Sequence, residues 1–211
     1  MKLDAFRDDA FAAMERFAAG REAAHTALVR EHLALLKQRR PVAGALALAI
    51  ARLLGAPALR AEAVTLVAGF TEAAALALQA LESETYGVRQ RHDLPLALNS
   101  SDALLSLAHV ALAGLEAPDV KTPLAPRYDR LATALWEAAG ESAGEATVAG
   151  RLAGEMAAAV SGLPETAIIG VGHFAAEVAA GLAADRERAL AALTGSGLQE
   201  GLRVELASLL D

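Results

Sequence analysis

The stretch 59-LRAEAVTLVAGFTEAAALALQALESE-84 is an unbroken run of Ala, Leu and Val relieved by a few polar residues, with no proline, and it closes on Glu82-Ser83-Glu84. Ala and Leu are the strongest helix formers, and no strict apolar/polar alternation of the kind a half-buried strand needs is present. The stretch predicts one long apolar helix ending in a small acidic cluster.

The whole chain repeats this character. Hydrophobic residues make up 55% of the 211 residues but aromatics only 4%, so the core must be assembled from small and medium aliphatic side chains. That composition favours closely packed helices over sheet, because strand formers are scarce. At this length one domain can bury a sizeable core, and a single domain over 1–211 is expected. A formal net charge of −7 excludes a general nucleic-acid binder, which needs a basic field to displace phosphate counterions. There is no cysteine, which removes disulfides, thiolate metal sites and cysteine nucleophiles together. Met1-Lys2-Leu3-Asp4 brings in an acid at once, so no secretory leader is expected. The apolar run Pro41 to Leu59 is interrupted by Arg52 and Gly55, so it reads as a buried core helix, with no membrane span and a cytoplasmic location expected.

Working outward, an opening helix is predicted over Leu3–Arg39, with a break near Gly20, ending before Pro41. A second runs Val42–Leu54 and stops at Gly55-Ala56-Pro57. After the long helix, Tyr86–Asp93 reads as a short polar loop, and Pro95 suits the first turn of a fourth helix reaching Leu115. Glu116–Arg127, with three prolines, is a loop. Helices are predicted again over Tyr128–Ala139, Glu145–Ser161, Glu165–Leu193 and Leu198–Leu210, giving an all-α bundle of about eight helices.

Three polar stripes break the apolar pattern. Glu72, Gln79, Glu82 and Tyr86 share one side of the long helix; Asn99, Asp102, Ser106 and His109 share one side of the fourth; His173 and Glu177 are an i,i+4 pair. Each stripe is either a solvated face or the lining of a polar mouth above an apolar cavity, and spacing does not choose between them. Gly170-Val171-Gly172-His173-Phe174-Ala175 matches a dinucleotide fingerprint, but without a βαβ unit it reads as close helix packing at glycine. The five histidines, 25, 32, 92, 109 and 173, show no zinc-site spacing. Asp8-Asp9 reads as an exposed helix face.

In order, these segments resemble the trans-isoprenyl diphosphate synthases, or polyprenyl synthetases. Leu36-Lys37-Gln38-Arg39-Arg40-Pro41 keeps the Lys, last Arg and Pro of the family's Gly-Lys-Arg-x-Arg-Pro segment. An apolar helix ending in Gly follows (Ala43 to Gly55), then a helix with an early Glu (Glu72) leading to the position of the first Asp-rich motif. Ala97-Leu98-Asn99-Ser100-Ser101-Asp102-Ala103-Leu104-Leu105-Ser106-Leu107-Ala108 matches the family's Ala-Ile-Asn-Ala-Gly-Asp-Ala-Leu and the Leu-Ala after it, which is the most specific match. Further on, Arg151 falls at the Lys of a Lys-Thr-Gly-like motif, and Gly172 to Arg188 at a Gly-rich helix before the second Asp-rich motif. The resemblance spans Lys37–Arg188 and is stronger in its first half.

It implies an isoprenoid (terpenoid) synthase-type bundle in which two Asp-rich motifs hold Mg²⁺ on an allylic diphosphate and basic residues bind a second diphosphate. The chain departs at those motifs. The first Asp-Asp-x-x-Asp aligns on Glu82-Ser83-Glu84-Thr85-Tyr86, and the second on Ala183-Ala184-Asp185-Arg186-Glu187. The C-terminal helices look shortened. The resemblance therefore implies a degenerate member, acting as an accessory subunit or a prenyl or diphosphate binder, with Lys37, Arg40, Arg89, Arg91 and Arg151 as diphosphate ligands. Two alternatives stay open. One is an active prenyltransferase with an altered Mg²⁺ site at Glu82, Glu84 and Asp102; the other is a helical dimerisation scaffold. Glu72, Gln79, Asn99, His109, His173 and Glu177 would line the cavity. The expected partners are a second copy or a full-length prenyl synthase, with no nucleic acid.

Overall fold

The computed structural model describes residues 3–21, 26–39, 41–83, 85–115, 124–138, 142–181 and 186–210. Arg40, Glu84 and the Ala183–Asp185 part of the second aligned motif lie outside the described residues.

The described residues are helical throughout, with no strand. The elements are α1 (Leu3–Ala19), α2 (Thr26–Lys37), α3 (Ala43–Leu53), α4 (Ala58–Leu81), α5 (Gly87–Arg91), α6 (Leu94–Ala113), α7 (Leu124–Ala138), α8 (Ser142–Val160), α9 (Glu165–Ala179), α10 (Arg186–Thr194) and α11 (Glu200–Ala207), closed by a 3-10 turn at Ser208–Leu210. The all-α class and the long apolar helix before Glu82 agree with the sequence reading; the count of about eight does not, and eleven helices are present among the described residues. The opening segment divides after Ala19, at the expected break. The segment predicted as one helix over Glu165–Leu193 is two, and α9 gives way to Gly181 at φ +70°, a left-handed conformation that glycine adopts without a Cβ clash. The polar loop after α4 contains the single-turn helix α5. Pro126 lies in the first turn of α7, not in a loop.

α4 is the axis of the bundle. Every residue from Val64 to Ala75 is buried, and α1, α2, α3, α6, α7 and α8 all contact it. Small residues make this possible. A Cβ on Gly69 would stand 2.7 Å from Met14 Sδ, and one on Gly44 would stand 3.2 Å from Gly69 Cα, so α1, α3 and α4 cross at glycine. α8 is the second hub, touching α3, α4, α7 and α9. Its seam with α9 is closer still: a Cβ on Gly150 would be 2.5 Å from the Ala175 carbonyl, and one on Gly154 2.6 Å from Ala175 Cβ. Gly172 is part of this packing, against Glu155, while Gly170 packs against Ala192 and Ser196 at the end of α10.

Candidate functional site

The C-terminal end of α4 is where the altered acidic motif stands. Glu82 is exposed and caps the helix. Its carbonyl and that of Leu81 accept hydrogen bonds from Arg89 Nη1, at 3.2 and 2.6 Å, so Arg89 satisfies the helix's last carbonyls and meets the negative end of its dipole. Ser83 and Thr85 hydroxyls bond each other at 2.8 Å.

Tyr86 turns inward. Its hydroxyl lies 2.8 Å from His32 Nδ1, and His32 Nε2 lies 2.8 Å from Ser100 Oγ. Ser100 donates its own proton to the Ala97 carbonyl, also at 2.8 Å, so it must accept from His32. The chain of donors is therefore Tyr86 O–H to Nδ1, Nε2–H to Ser100, and Ser100 O–H to Ala97, with His32 neutral. Burial lowers the His32 pKa to about 4 and raises the Tyr86 phenol to about 12. This buried relay joins α2 and α6 to the segment after α4.

Glu72 serves a different end. α3 begins at Pro41-Val42-Ala43 with no side-chain cap of its own. The Glu72 carboxylate, 5% exposed, accepts from the Val42 amide at 3.0 Å and the Ala43 amide at 2.7 Å. It caps α3 across the bundle. Burial raises its pKa to about 7, opposed by the two amide bonds and reinforced by the Glu145 charge. Glu145, on α8, is itself buried and its pKa is raised by that burial.

Among the described residues, the cations expected to bind diphosphate are each engaged by this chain, Arg40 lying outside them. Lys37 pairs with Asp8 at 3.1 Å, and Arg91 with Glu31 at 2.5 Å, which His92 also meets at 3.1 Å. Arg151 Nε bonds Glu155 at 2.8 Å. Glu155 is fully buried on α8 and also bonds Arg127 and Arg130, while Arg127 grips both oxygens of Glu165 at 2.6 and 2.5 Å. A Cβ on Gly172 would be 2.5 Å from Glu155 Cγ, so the glycine makes room for this carboxylate.

The structure does not gather the remaining residues. Asn99, Asp102 and His109 are exposed along α6, Gln79 is half-buried on α4, His173 is exposed on α9, and Glu177 pairs with Arg188 at 2.9 Å. Among the described residues, no group of three or more His, Asp or Glu is placed to hold a metal ion. Among the described residues the donors at this motif do not fit Mg²⁺: Glu82 faces solvent, and the third position is a buried phenol bonded to His32. A hollow of about 400 Å³ lies elsewhere, between α1, α3 and the start of α4, rimmed by the ion pairs Arg52–Asp9 (3.0 Å) and Arg16–Glu62 (3.4 Å). Sequence reading missed Glu155, Glu145 and the role of His32. Only the i,i+4 spacing of Arg151 and Glu155 signalled any of them.

No protein-family model and no curated protein matches the chain in sequence. Solved structures do match in shape. A chain of a deletion mutant of the heterotetrameric geranyl pyrophosphate synthase from mint, in complex with ligands, superposes with a TM-score of 0.73 at 14% identity, covering 99% of this chain and 98% of that one. A protein assigned as a farnesyl-diphosphate synthase from Marinomonas sp. MED121 superposes with a TM-score of 0.65, again at 14% identity, over 100% of this chain and 99% of that one. The chain has the all-helical fold of the isoprenyl diphosphate synthases, as its resemblance to them implied.

Proposed function

We propose that the chain is a non-catalytic protein on the isoprenoid synthase fold, a single cytoplasmic domain that acts as an accessory subunit of isoprenoid metabolism. The observation that carries this reading is Tyr86. In the aligned motif its position belongs to an acid that should face a diphosphate through Mg²⁺, whereas here a phenol is buried against His32. Ionising an allylic diphosphate requires hard oxygen ligands held together around the metal, and Glu82 alone does not supply them.

An accessory role fits better than a diphosphate-binding one. Lys37, Arg89, Arg91 and Arg151 are held by Asp8, backbone carbonyls, Glu31 and Glu155, so a diphosphate would have to displace each of these acceptors. The similar chain from mint belongs to a heterotetrameric synthase, which supports a catalytic prenyl synthase as partner. The test is to mix the purified chain with a catalytically competent prenyl synthase from the same genome. A stable complex with altered rate or product length is expected. Failure to associate, together with a rise in Tm on adding prenyl diphosphate to the chain alone, would favour the binder instead.

A further inference from the structure

The hollow between α1, α3 and the start of α4 lies far from the altered motif: about twenty residues of helix, or about 30 Å, separate Glu62 on its rim from Glu82. Its volume of about 400 Å³ falls in the range of ligand pockets. Small side chains make the space. Ala13, Leu48, Ala61 and Thr65 form a buried floor, and the Thr65 hydroxyl donates to the Ala61 carbonyl at 2.7 Å. The floor is therefore apolar, and the charges stand on the rim.

Those charges form two bipolar corners. Arg52 Nη1 meets Asp9 Oδ2 at 3.0 Å, and Arg16 Nη2 meets Glu62 Oε1 at 3.4 Å, with all four side chains about half-exposed. Exposed pairs of this kind add little to stability. Among the described residues each of the four meets a single opposite charge, so most donors of each guanidinium stay open to a ligand. Asp9 and Arg16 lie seven residues apart on α1, so they point within about 20° of each other and stand about 10 Å apart. Two cations and two anions leave the rim neutral, and that selects the ligand. A diphosphate would face two carboxylates, and a metal ion or polyamine two guanidiniums. A molecule with one carboxylate and one ammonium finds an opposite charge for each. An extended chain of three residues spans about 10 Å, the separation of Asp9 from Arg16, and the floor between them leaves room for small side chains.

We propose that this hollow binds a short zwitterionic peptide of about three small residues, its carboxylate on Arg16 and its ammonium on Asp9. Arg16 is the more loosely held guanidinium, 3.4 Å from its partner against 3.0 Å for Arg52. Glu62 and Arg52 orient the two ends of the site. The proposal goes beyond the accessory reading and is independent of it, because it uses no residue of the aligned motifs.

Trialanine is the probe, titrated into the isotopically labelled full chain and followed by amide chemical shifts. Saturable binding is expected with a Kd of about 1 mM or tighter, and amidating the carboxylate or acetylating the ammonium should each weaken it about tenfold or more. In Arg16→Gln the free peptide and its amide should bind alike; in Asp9→Asn the free and acetylated peptides should. Ala58→Phe, at an exposed position on the lip, should fill the hollow and abolish binding. L-Alanine, too short to reach both corners, and inorganic diphosphate should bind at least about tenfold more weakly. Circular dichroism verifies that each variant folds. No saturable shift up to about 10 mM trialanine, equal affinity for alanine or diphosphate, or binding unchanged in Ala58→Phe would each overturn the proposal.

Discussion

The Tyr86 hydroxyl and His32 Nδ1 are 2.8 Å apart inside the bundle, although 54 residues separate them in the chain. Tyr86→Phe keeps the ring but removes the donor, leaving a buried imidazole nitrogen without a partner. The expected cost is about 1–3 kcal/mol in denaturant unfolding, with little change in m-value. Ser100→Ala should cost a similar amount, from the other end of the relay.

Stability should depend on pH through buried groups of opposite sign, His32 on one side and Glu72, with Glu145 acting in the same sense, on the other. The folded-state pKa of Glu72 is raised to about 7 from 4.5, so its contribution is present below about pH 4.5 and is lost as pH rises through 7. That of His32 is lowered to about 4 from 6.5, so its contribution is present above about pH 6.5 and is lost as pH falls through 4. Between pH 5 and 6.5 the Glu72 and His32 slopes oppose each other and flatten the dependence of unfolding free energy on pH. Glu72→Gln removes one of them, and its unfolding free energy should climb with pH across that range. Urea unfolding of both proteins at pH 5 and pH 6.5 checks this.

Gly172→Ala should destabilise by about 1–3 kcal/mol, because the new methyl group meets Glu155 Cγ and neither α8 nor α9 can retreat from the glycine-lined seam. Thermal unfolding of this variant beside Gly201→Ala, which has open space around it, separates packing from helix propensity.

In the same network, Glu155→Ala removes the buried one of the two carboxylates that hold Arg127, leaving Glu165, and should cost about 1–3 kcal/mol, whereas Arg130→Ala, at an exposed side chain, should cost under about 1 kcal/mol. A small effect at Glu155 would show that the buried pairs contribute little.

Those elements written in local chemistry were legible beforehand. Pro41, Gly55-Ala56-Pro57 and Asp93-Leu94-Pro95 mark helix limits because proline and glycine act on the backbone where they stand, and Asp93 caps α6 by accepting from the Leu96 amide at 2.8 Å. The α9–α10 division was missed because alanine-rich sequence carries the helical pattern straight across Gly181. The stripe of Glu72, Gln79, Glu82 and Tyr86 was read as one helix face, but only Glu72 and Gln79 lie within α4; Glu82 caps it, Tyr86 follows it in extended conformation, and the members go separate ways. Whether a carboxylate lines a mouth or caps another helix depends on which element crosses it, and Glu72 is met by Val42 and Ala43 from thirty residues upstream. Glu155 was invisible for a related reason: Arg127 and Arg130, two of the three arginines that hold it, and the glycine that shelters it come from other helices.

The most direct measurement is turnover. The purified chain, incubated with isotopically labelled homoallylic diphosphate, each of the common allylic diphosphates and millimolar Mg²⁺, should form no elongated prenyl product above the level of a buffer control over hours. Elongation at about 1 s⁻¹ or faster, an ordinary enzymatic rate, would contradict the account, because a site ending in Tyr86 buried on His32 would then be holding the metal that it is argued to have lost.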